Sequence, residues 1–247
     1  MYTIANRIKI ATRAPGFYFS NQWRRIFGSD ESWKENSRDD YPVGSWQWLA
    51  LSELRYGGYK PGVASENNRG GDRMSPFDGH ICHGYGFSYA EFLKPLMLRR
   101  MDPLILVEIG ILNGSGLAIW CDLFPNARVV GLDLDLRNFE KNRSFLESKG
   151  AFSKNTPELY EFDQLDLPKA RNDLRDVLGD EKVDIAIDDG CHSTESIKIT
   201  FEALKPHLNS NFVYFIEDNF ETYDALAHQY REYRWSQRGE MVVLRNR

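Results

Sequence analysis

The hydrophobic positions of this chain fall into short continuous runs, separated by glycine, proline and polar residues. The first clear run, residues 104–107 (LILV), is rich in branched side chains and is followed by Glu108 and several glycines. Such runs are typical of strands that are buried on both faces of a parallel sheet. Later runs predict a second to a fifth strand, at residues 128–133, 160–164, 183–187 and 212–216.

Helical spacing of apolar residues alternates with these runs. It predicts a helix from Ser88 onward, a polar helix at residues 137–150 and a helix from Thr194 to about Leu208. After the fifth strand, the sequence indicates one more helix and then two strands, YRW and MVVLR, in a closing hairpin. Alternating strands and helices predict an α/β fold with a doubly wound, mostly parallel sheet and a C-terminal antiparallel hairpin.

Residues 1–70 differ from the rest and are expected to form an N-terminal extension. The first 29 residues contain five basic and no acidic side chains, residues 30–40 contain five acidic ones, and aromatic residues are frequent. The segment SWQWLALSELRY is predicted as a short amphipathic helix. The extension either packs on the core or on another subunit, which we favour, or is a basic aromatic arm for an anionic or membrane-bound substrate.

The segment between the extension and the first strand carries two further candidates. Residues 61–79 are rich in Gly, Pro, Asn and Ser and are predicted to form a long loop or lid. His83 and Tyr85 follow it and are expected to precede the next helix, so both could reach a ligand pocket. Tyr89 and Phe92 have helical spacing and are expected in the core.

Composition and charge narrow the function classes. The net charge of −5 gives no basic footprint for nucleic acid. No run of about 18 apolar residues predicts a membrane-spanning helix, and Arg7, Lys9 and Arg13 interrupt the N-terminal apolar residues, which argues against a signal peptide. Three widely spaced cysteines suggest a reducing compartment, and a cytoplasmic location is expected.

A glycine-rich turn follows the first strand, with the order Glu108, Gly110, Gly114 and Gly116. A strand, glycine turn and helix together form the nucleotide-binding unit of doubly wound folds. A dinucleotide site has the pattern G-x-G-x-x-G, whereas here an acidic residue precedes G-x-x-x-G-x-G. A carboxylate repels a diphosphate and favours a cationic ligand, so we expect S-adenosylmethionine. The alternative is a tight turn with no ligand.

Carboxylates near the ends of the next strands suit the rest of that ligand. Asp133 ends the second strand, 23 residues after Gly110, where it can accept hydrogen bonds from both ribose hydroxyls. Asp135 is a competitor that is more often a solvent-facing turn residue. Asp163 and Gln164 end the third strand and are expected to face the adenine edge.

The fourth and fifth strands are expected to be neighbours, and both end in acids. Asp189 follows the fourth, and Glu217 and Asp218 follow the fifth. Crowded carboxylates must take up protons or share a cation, and oxygen ligands suit Mg²⁺, Ca²⁺ or Mn²⁺. His192 would lie beside that metal, where an imidazole suits a general base. The alternative is that the acids cap helices and His192 is a surface loop residue.

The motifs EIGILNGSG, GLDLD, DQ, DDGCH and FIEDN, in this order, resemble the metal-dependent sugar O-methyltransferases of the macrocin and mycinamicin type. The likeness covers roughly residues 70–220, and GGDR and HGYGFSY upstream are similar to that family as well. The glycine motif is common to all class I methyltransferases. The DDG-x-H and ED pair, in which Glu217 follows Asp189 by 28 residues, is much more specific.

The resemblance implies a seven-stranded class I methyltransferase fold that uses S-adenosylmethionine and Mg²⁺ (or Mn²⁺). It implies metal ligation by Asp189, Glu217 and Asp218, with His192 taking a proton from a sugar hydroxyl. The cofactor-binding set would be Glu108, Gly110, Asn113, Gly114, Ser115, Asp133, Asp163, Gln164 and Asp188. Two departures from the family pattern remove no ligand: Cys191 replaces a serine, and Asn211 stands where glycines usually precede the fifth strand.

The expected organisation is an N-terminal extension at residues 1–70 and an S-adenosylmethionine-dependent methyltransferase domain at residues 71–247. The extension is expected to pack on the core, contact another subunit or contact the acceptor. The acceptor would be a sugar-containing small molecule or glycan, and a homo-oligomer is expected. The alternatives are a non-catalytic S-adenosylmethionine-binding protein, or a methyltransferase for a non-sugar hydroxyl. A relative of the cephalosporin hydroxylases is disfavoured because no set of two histidines and one carboxylate is evident.

Overall fold

The computed structural model describes residues 34, 36–57, 71–76 and 82–247. The basic N-terminal arm and most of the loop predicted at residues 61–79 lie outside this part of the chain. Contacts divide the chain into two compact units. One contains the described residues up to Arg99 together with Gln237–Gly239, and the other contains Arg100–Ser236 and Glu240–Arg247. The expected domain start at residue 71 stays a prediction.

Seven strands form one sheet in the order β3-β2-β1-β4-β5-β7-β6. Strands β1 to β5 are parallel, and β7 pairs with β5 in the antiparallel direction. This is the mostly parallel sheet with an antiparallel C-terminal hairpin that the sequence predicts. The strands are β1 (Ile105–Ile109), β2 (Arg128–Asp133), β3 (Glu158–Glu161), β4 (Val183–Asp188), β5 (Leu208–Ile216), β6 (Tyr233–Arg238) and β7 (Met241–Asn246).

Helices connect the strands, as expected for a doubly wound fold. In the described residues they are α1 (Trp46–Gly57), α2 (Tyr85–Met97), α3 (Ser115–Leu123), α4 (Arg137–Ser148), α5 (Leu167–Leu178), α6 (Thr194–Leu204) and α7 (Thr222–Leu226). Short 3₁₀ turns occur at Arg38–Asp40 and Lys205–His207. The second of these ends the helix that the sequence extends to about Leu208, because Pro206 cannot continue an α-helix.

Strand β1 lies at the centre of the sheet between β2 and β4, and all five of its residues are buried. Layers on both faces explain why its sequence is a continuous apolar run rather than an alternating one. Its side chains Ile105, Val107 and Ile109 belong to one core cluster with residues of β2, β4, β5, α5 and α6. The carboxyl end of β1 is therefore held rigidly where the glycine turn begins.

Several element boundaries differ from the sequence prediction, and one helix was not predicted. Helix α5 was not predicted, although Asp166 caps its start and Pro168 occupies its first turn, which are recognisable signals. Strand β3 ends at Glu161, so Asp163 and Gln164 lie in the following loop and not at the strand end. Helix α2 begins at Tyr85 rather than near Ser88, so Tyr85 is its first residue, and it is buried.

In the first unit, helix α1 forms where the amphipathic segment was predicted. Its Glu53 side chain is 1% exposed and accepts hydrogen bonds from the backbone N–H groups of Arg73, Met74 and Ser75, at 3.0, 2.7 and 3.2 Å. The carboxylate thus fixes the backbone of residues 73–75 against α1. Over the described part of the chain, no helix combines the length and apolar character needed to cross a bilayer.

Candidate functional site

The strand order reverses between β1 and β4, since β2 and β3 lie to one side of β1 and β5 lies beyond β4. In doubly wound sheets, ligands bind at such a switch point, outside the carboxyl ends of the strands. The glycine turn, Asp133, Asp163 and Asp189 follow the carboxyl ends of β1 to β4, and Glu217 follows β5. The candidate residues of the sequence therefore gather at one edge of the sheet.

The side chains of Asp189, His192 and Asp218 form a compact group at this edge. One ligand atom from each lies within 4.8 Å of the other two, and His192 Nε2 is 4.0 Å from an Asp218 carboxylate oxygen. Asp189 and Asp218 are half-buried and His192 is exposed on its outer side. Two carboxylates and an imidazole at this spacing have the donor chemistry for a divalent cation, so the residues fit the metal that the resemblance implies.

Glu217, the remaining acid of this set, is placed differently. It is 1% exposed and is not part of the compact group, although it directly precedes Asp218. Its backbone N–H donates to the Asp188 carbonyl at 2.9 Å, which ties the end of β5 to the end of β4. Asp218 itself has a φ of 56°, a left-handed conformation that is uncommon for residues other than glycine. This conformation turns the chain sharply at the site.

The loop that carries Asp189 and His192 is held by several hydrogen bonds. The Gln164 side-chain oxygen accepts from the backbone N–H of Cys191 at 2.7 Å, and the Ser196 hydroxyl donates to the Cys191 carbonyl. The Asn219 amide donates to the His192 carbonyl at 2.8 Å. The loop is therefore fixed from three directions: by the loop after β3, by α6 and by the loop after β5.

The glycine turn is shaped by close contacts as well as by conformation. Gly110 has a φ of +82°, and a Cβ there would lie 2.2 Å from the Asp189 carbonyl oxygen. Gly114 has a φ of +79°, and a Cβ there would meet the Phe139 ring at 2.3 Å. Both positions therefore require glycine, and the first brings the turn against the loop that carries Asp189.

Asp133 organises the same turn. One of its carboxylate oxygens accepts from the backbone N–H groups of Ile111 and Leu112, at 2.9 and 3.0 Å, and the other accepts from the N–H of Asp135 at 3.1 Å. The carboxylate remains half-exposed and its second oxygen retains accepting capacity. Asp135, its competitor in the sequence, forms an ion pair with Arg137.

Gln164 is buried, and its amide is engaged within the protein. Its nitrogen donates to a carboxylate oxygen of Asp188 at 2.8 Å and to the hydroxyl of Thr200 at 2.9 Å, while its oxygen accepts from Cys191. Both amide hydrogens are therefore used. This geometry favours a role in holding the site loops over the adenine contact that the sequence suggested.

Asp188 is likewise committed to internal contacts. Its second carboxylate oxygen accepts from the Tyr214 hydroxyl at 3.0 Å, and the residue is 2% exposed. Burial raises the pKa of the Asp188 carboxyl and raises the pKa of Tyr214 well above its usual value. The tyrosine hydroxyl therefore stays protonated and donates a hydrogen bond to Asp188. Asp188, Gln164 and Tyr214 form a buried polar network beneath the site.

The other residues of the expected cofactor set line the glycine turn or the neighbouring loop. Glu108 is buried within β1. Asn113 accepts from the Asn142 amide through its backbone carbonyl at 2.8 Å, and Ser115 is the first residue of α3. Asp163 is half-buried and accepts from the backbone N–H of Leu165 at 2.9 Å.

Three exposed leucines at this edge were not singled out from the sequence. Leu112, Leu134 and Leu165 are 58%, 70% and 62% exposed, and each lies in the loop that follows β1, β2 or β3. Because those strands are adjacent, their loops are adjacent too. Large apolar side chains left exposed beside polar candidates offer a surface for a flat ring. Leu134 and Leu165 each directly follow a polar residue, which is a signal in the sequence, whereas Leu112 follows Ile111 and has no such signal.

The curated relatives of the chain are O-methyltransferases. The chain is 29% identical over 145 residues to the 8-demethyl-8-alpha-L-rhamnosyl tetracenomycin-C 2'-O-methyltransferase of Streptomyces olivaceus. The aligned region covers 55% of this chain and 33% of that protein. It is 28% identical over 151 residues to the L-olivosyl-oleandolide 3-O-methyltransferase of Streptomyces antibioticus, covering 57% and 34%. The chain thus spans about a third of the length of these relatives. No family model matches the chain. The resemblance to sugar O-methyltransferases is confirmed.

A solved structure shares the fold. The MycE methyltransferase of the mycinamycin biosynthetic pathway, in complex with Mg and SAH, matches with a TM-score of 0.50 and 18% identity over 66% of this chain and 50% of that one. Its complex with Mg, SAH and mycinamycin VI gives the same TM-score at 19% identity. The chain has the seven-stranded α/β fold of class I methyltransferases, as the sequence predicted.

Proposed function

We propose that the chain is an S-adenosylmethionine-dependent O-methyltransferase that requires Mg²⁺ (or Mn²⁺) and acts on a sugar hydroxyl. The observation that carries this proposal is the group of Asp189, His192 and Asp218 beside the glycine turn, at the switch point of a methyltransferase fold. The donor, the cation and a base would then meet at one edge of the sheet.

S-adenosylmethionine would supply an electrophilic methyl group at a sulfonium. In our proposal the donor binds over the glycine turn, with Glu108, Gly110, Asn113, Gly114 and Ser115 around its amino acid end. Asp133 keeps accepting capacity for the ribose hydroxyls. The exposed Leu134 and Leu165 suit the adenine faces, and Asp163 lies two residues before Leu165 and accepts from its backbone N–H.

Mg²⁺ would act as a Lewis acid that lowers the pKa of a bound hydroxyl. Asp189 and Asp218 are the carboxylates already gathered for it, and we include Glu217 as the third ligand because it adjoins Asp218. Each of these side chains comes from the end of β4 or β5, which are paired strands. A rigid sheet thus supports the acids on both sides of the cation site.

His192 would accept the proton that the sugar hydroxyl loses. The oxygen forms a bond to the methyl carbon as the carbon–sulfur bond breaks, and the proton passes to the imidazole. Holding the oxygen in line with the methyl group is the other contribution of the site. His192 suits the base because its ring is exposed beside the two half-buried acids.

We infer the chemical class of the methyl acceptor from the names of the relatives. Their names describe methylation of rhamnosyl and olivosyl sugars on natural products, and MycE was solved with mycinamycin VI. We propose a glycoside, polysaccharide or glycosylated natural product as acceptor, with residues 1–70 helping to select it. A homo-oligomer and a cytoplasmic location remain part of this proposal.

Labelled methyl transfer tests the proposal directly. The protein is incubated with S-adenosylmethionine labelled in the methyl group, Mg²⁺ and a panel of glycosylated acceptors, with and without EDTA. We expect transfer to a sugar oxygen, its loss in EDTA and its return with excess Mg²⁺. Calorimetry with S-adenosylhomocysteine and NAD runs in parallel. Binding of S-adenosylhomocysteine without transfer to any acceptor would favour the non-catalytic alternative, and binding of NAD alone would end the proposal.

A further inference from the structure

We infer that Asn219 is a positioning residue that fixes His192 against Asp218 by holding the two loops that carry them. This inference rests on the proposed function for its consequence, since the fixed spacing matters only if the group binds a cation. Asn219 follows Asp218 directly, is 8% exposed and was not among the site residues expected from the sequence.

The amide nitrogen of Asn219 reaches across to the loop after β4. It donates to the His192 carbonyl at 2.8 Å and lies 3.4 Å from the Thr194 hydroxyl. The bond to His192 is the direct link between the backbone of the imidazole residue and the neighbour of Asp218. The backbone of His192 can therefore move away from the loop of Asp218 only if this bond breaks.

The amide oxygen of Asn219 binds the backbone at the start of α7. It accepts from the backbone N–H groups of Glu221 and Thr222, at 2.8 and 2.9 Å, where α7 begins. The backbone N–H of Asn219 donates to the Glu240 carbonyl at 3.2 Å. The side chain is thus anchored to a helix start and cannot follow the His192 loop if that loop moves.

These contacts also fix which way the amide points. A reversed amide would place its oxygen against the His192 carbonyl and its hydrogens against two N–H donors. Asparagine is therefore required at this position, because it offers a donor to one side and an acceptor to the other at the same length. The left-handed backbone of Asp218, with φ of 56°, is held between Glu217 and this anchor.

Two variants separate the donor from the acceptor. Asn219→Asp keeps the length and the acceptor for α7 but replaces the donor with an oxygen facing the His192 carbonyl. Its added negative charge would by itself strengthen cation binding, so weaker binding would report altered geometry. Asn219→Ser keeps a helix-capping hydroxyl that is too short to reach His192. Asn155→Ser is the matched control, because the Asn155 amide likewise donates to backbone carbonyls, those of Phe124 and Ala127, away from this group.

The probe is Mn²⁺ alone, titrated against the full chain and followed by electron paramagnetic resonance. Hydrogen exchange of the backbone at residues 190–194 provides a readout that needs no metal. We expect both Asn219 variants to bind Mn²⁺ about 10- to 100-fold more weakly, the range typical of outer-sphere partners, because the loop held by Asn219 also carries Asp189 and because Asn219 adjoins Asp218. We also expect faster exchange at residues 190–194, with S-adenosylhomocysteine affinity retained and the Asn155 variant unchanged in each respect.

Two results would overturn the inference. One is wild-type exchange at residues 190–194 in both Asn219 variants, whatever their metal affinity. The other is wild-type Mn²⁺ affinity in both variants, where the unaltered chain binds the ion. If the unaltered chain binds no Mn²⁺, the metal requirement in the proposed function fails, and hydrogen exchange alone decides whether Asn219 holds the His192 loop.

Discussion

Gly110 lies so close to Asp189 that a Cβ on the glycine would come within 2.2 Å of the aspartate carbonyl oxygen. Gly190, the residue after Asp189, makes a similar close contact, since a Cβ on it would lie 2.1 Å from the side-chain oxygen of Gln164. The glycine turn therefore packs against the backbone of the loop after β4, and that loop packs against the Gln164 side chain of the loop after β3. The parts of the site proposed for the donor and for the cation share one packing arrangement.

Substitution of Gly110 should therefore disturb both halves of the site. Gly110→Ala adds a methyl group that only a shift of the Asp189 loop can accommodate, at a φ of +82° that is strained for alanine. We expect calorimetry to show weaker binding of S-adenosylhomocysteine and, in a separate titration, of Mn²⁺. Normal binding of both ligands would contradict the shared packing arrangement.

Gly179→Ala is the matched control for that prediction. Gly179 also has a positive φ, of +56°, but a Cβ there would meet no atom within 4 Å. Its ψ of −125° places it in a sparsely populated region, where a residue other than glycine costs roughly 1–3 kcal/mol. We expect this variant to lose about that much stability and to bind both ligands normally, which separates backbone strain from steric displacement of the loop.

The sequence predicted the parts of the fold that depend on local pattern. The observed bounds of β2, Arg128–Asp133, equal the predicted ones, because an apolar run ends there in an acid at a strand end. Helix α5 was predictable and was missed: Ala170, Leu174 and Leu178 are buried at helical spacing, although five of the twelve residues are charged. The gathering of Asp189, His192 and Asp218 was foreseeable, since β4 and β5 are successive parallel strands.

The partners of individual side chains could not be foreseen. Gln164 was expected at the adenine because a polar residue after a third strand often faces the ligand. The structure directs its amide toward Asp188, Thr200 and Cys191, which lie 24, 36 and 27 residues further along the chain. Contacts of that sequence separation leave no local signal. The role of Asn219 was missed for the same reason, since His192 precedes it by 27 residues.

Gln164 provides a test of this reassignment. Gln164→Met fills a similar volume but removes the amide, which leaves one Asp188 oxygen and the Cys191 N–H without that partner. We expect a loss of about 1–3 kcal/mol in the free energy of unfolding, measured by urea titration. Thr200→Val keeps the shape and removes a hydroxyl that accepts from Gln164 and donates to the Ser196 carbonyl, while Asp188 and Cys191 keep their bonds to Gln164, so its loss should be smaller. Unchanged stability with a large loss of S-adenosylhomocysteine affinity would instead support the adenine contact.

Glu53 predicts a pH dependence of stability in the first unit. Its pKa is raised from 4.5 to about 7, chiefly by burial, although the backbone N–H groups of Met74 and Arg73 and the Arg73 charge oppose this and Asp72 adds to it. The folded state therefore retains a proton that the unfolded chain releases. The contribution of Glu53 to the free energy of unfolding is largest below pH 4.5. It falls as the pH rises to about 7, by at most about 3 kcal/mol.

Urea unfolding between pH 4.5 and 7.5 measures this effect. We expect the difference in unfolding free energy between the unaltered chain and Glu53→Gln to fall as pH rises, because glutamine does not titrate. Glu140→Gln removes an exposed glutamate of α4 and serves as the control, with a difference that stays flat. A flat difference for Glu53→Gln as well would show that its three backbone donors keep the carboxylate charged in the folded chain.

The last prediction separates the proposed ligands from the proposed base. Asp189, His192 and Asp218 lie within 4.8 Å of one another, so distance alone permits the imidazole either role. We assign His192 the base because Mg²⁺ prefers oxygen ligands. Asp189→Asn and Asp218→Asn should each lose Mn²⁺ binding, measured by electron paramagnetic resonance, while S-adenosylhomocysteine binding persists. Glu217→Gln should weaken Mn²⁺ binding if that buried acid completes the ligand set.

His192→Ala should behave in the opposite way to the aspartate variants. We expect Mn²⁺ and S-adenosylhomocysteine affinities to stay near those of the unaltered chain, and methyl transfer to fall by about 10²- to 10⁴-fold, the usual contribution of a general base. His207→Ala is the matched control, because His207 lies in the 3₁₀ turn before β5, at the opposite end of that strand from Asp218. A loss of Mn²⁺ binding in His192→Ala would make the imidazole a ligand. Near-normal transfer in that variant, together with its loss in His83→Ala, would assign the base to His83.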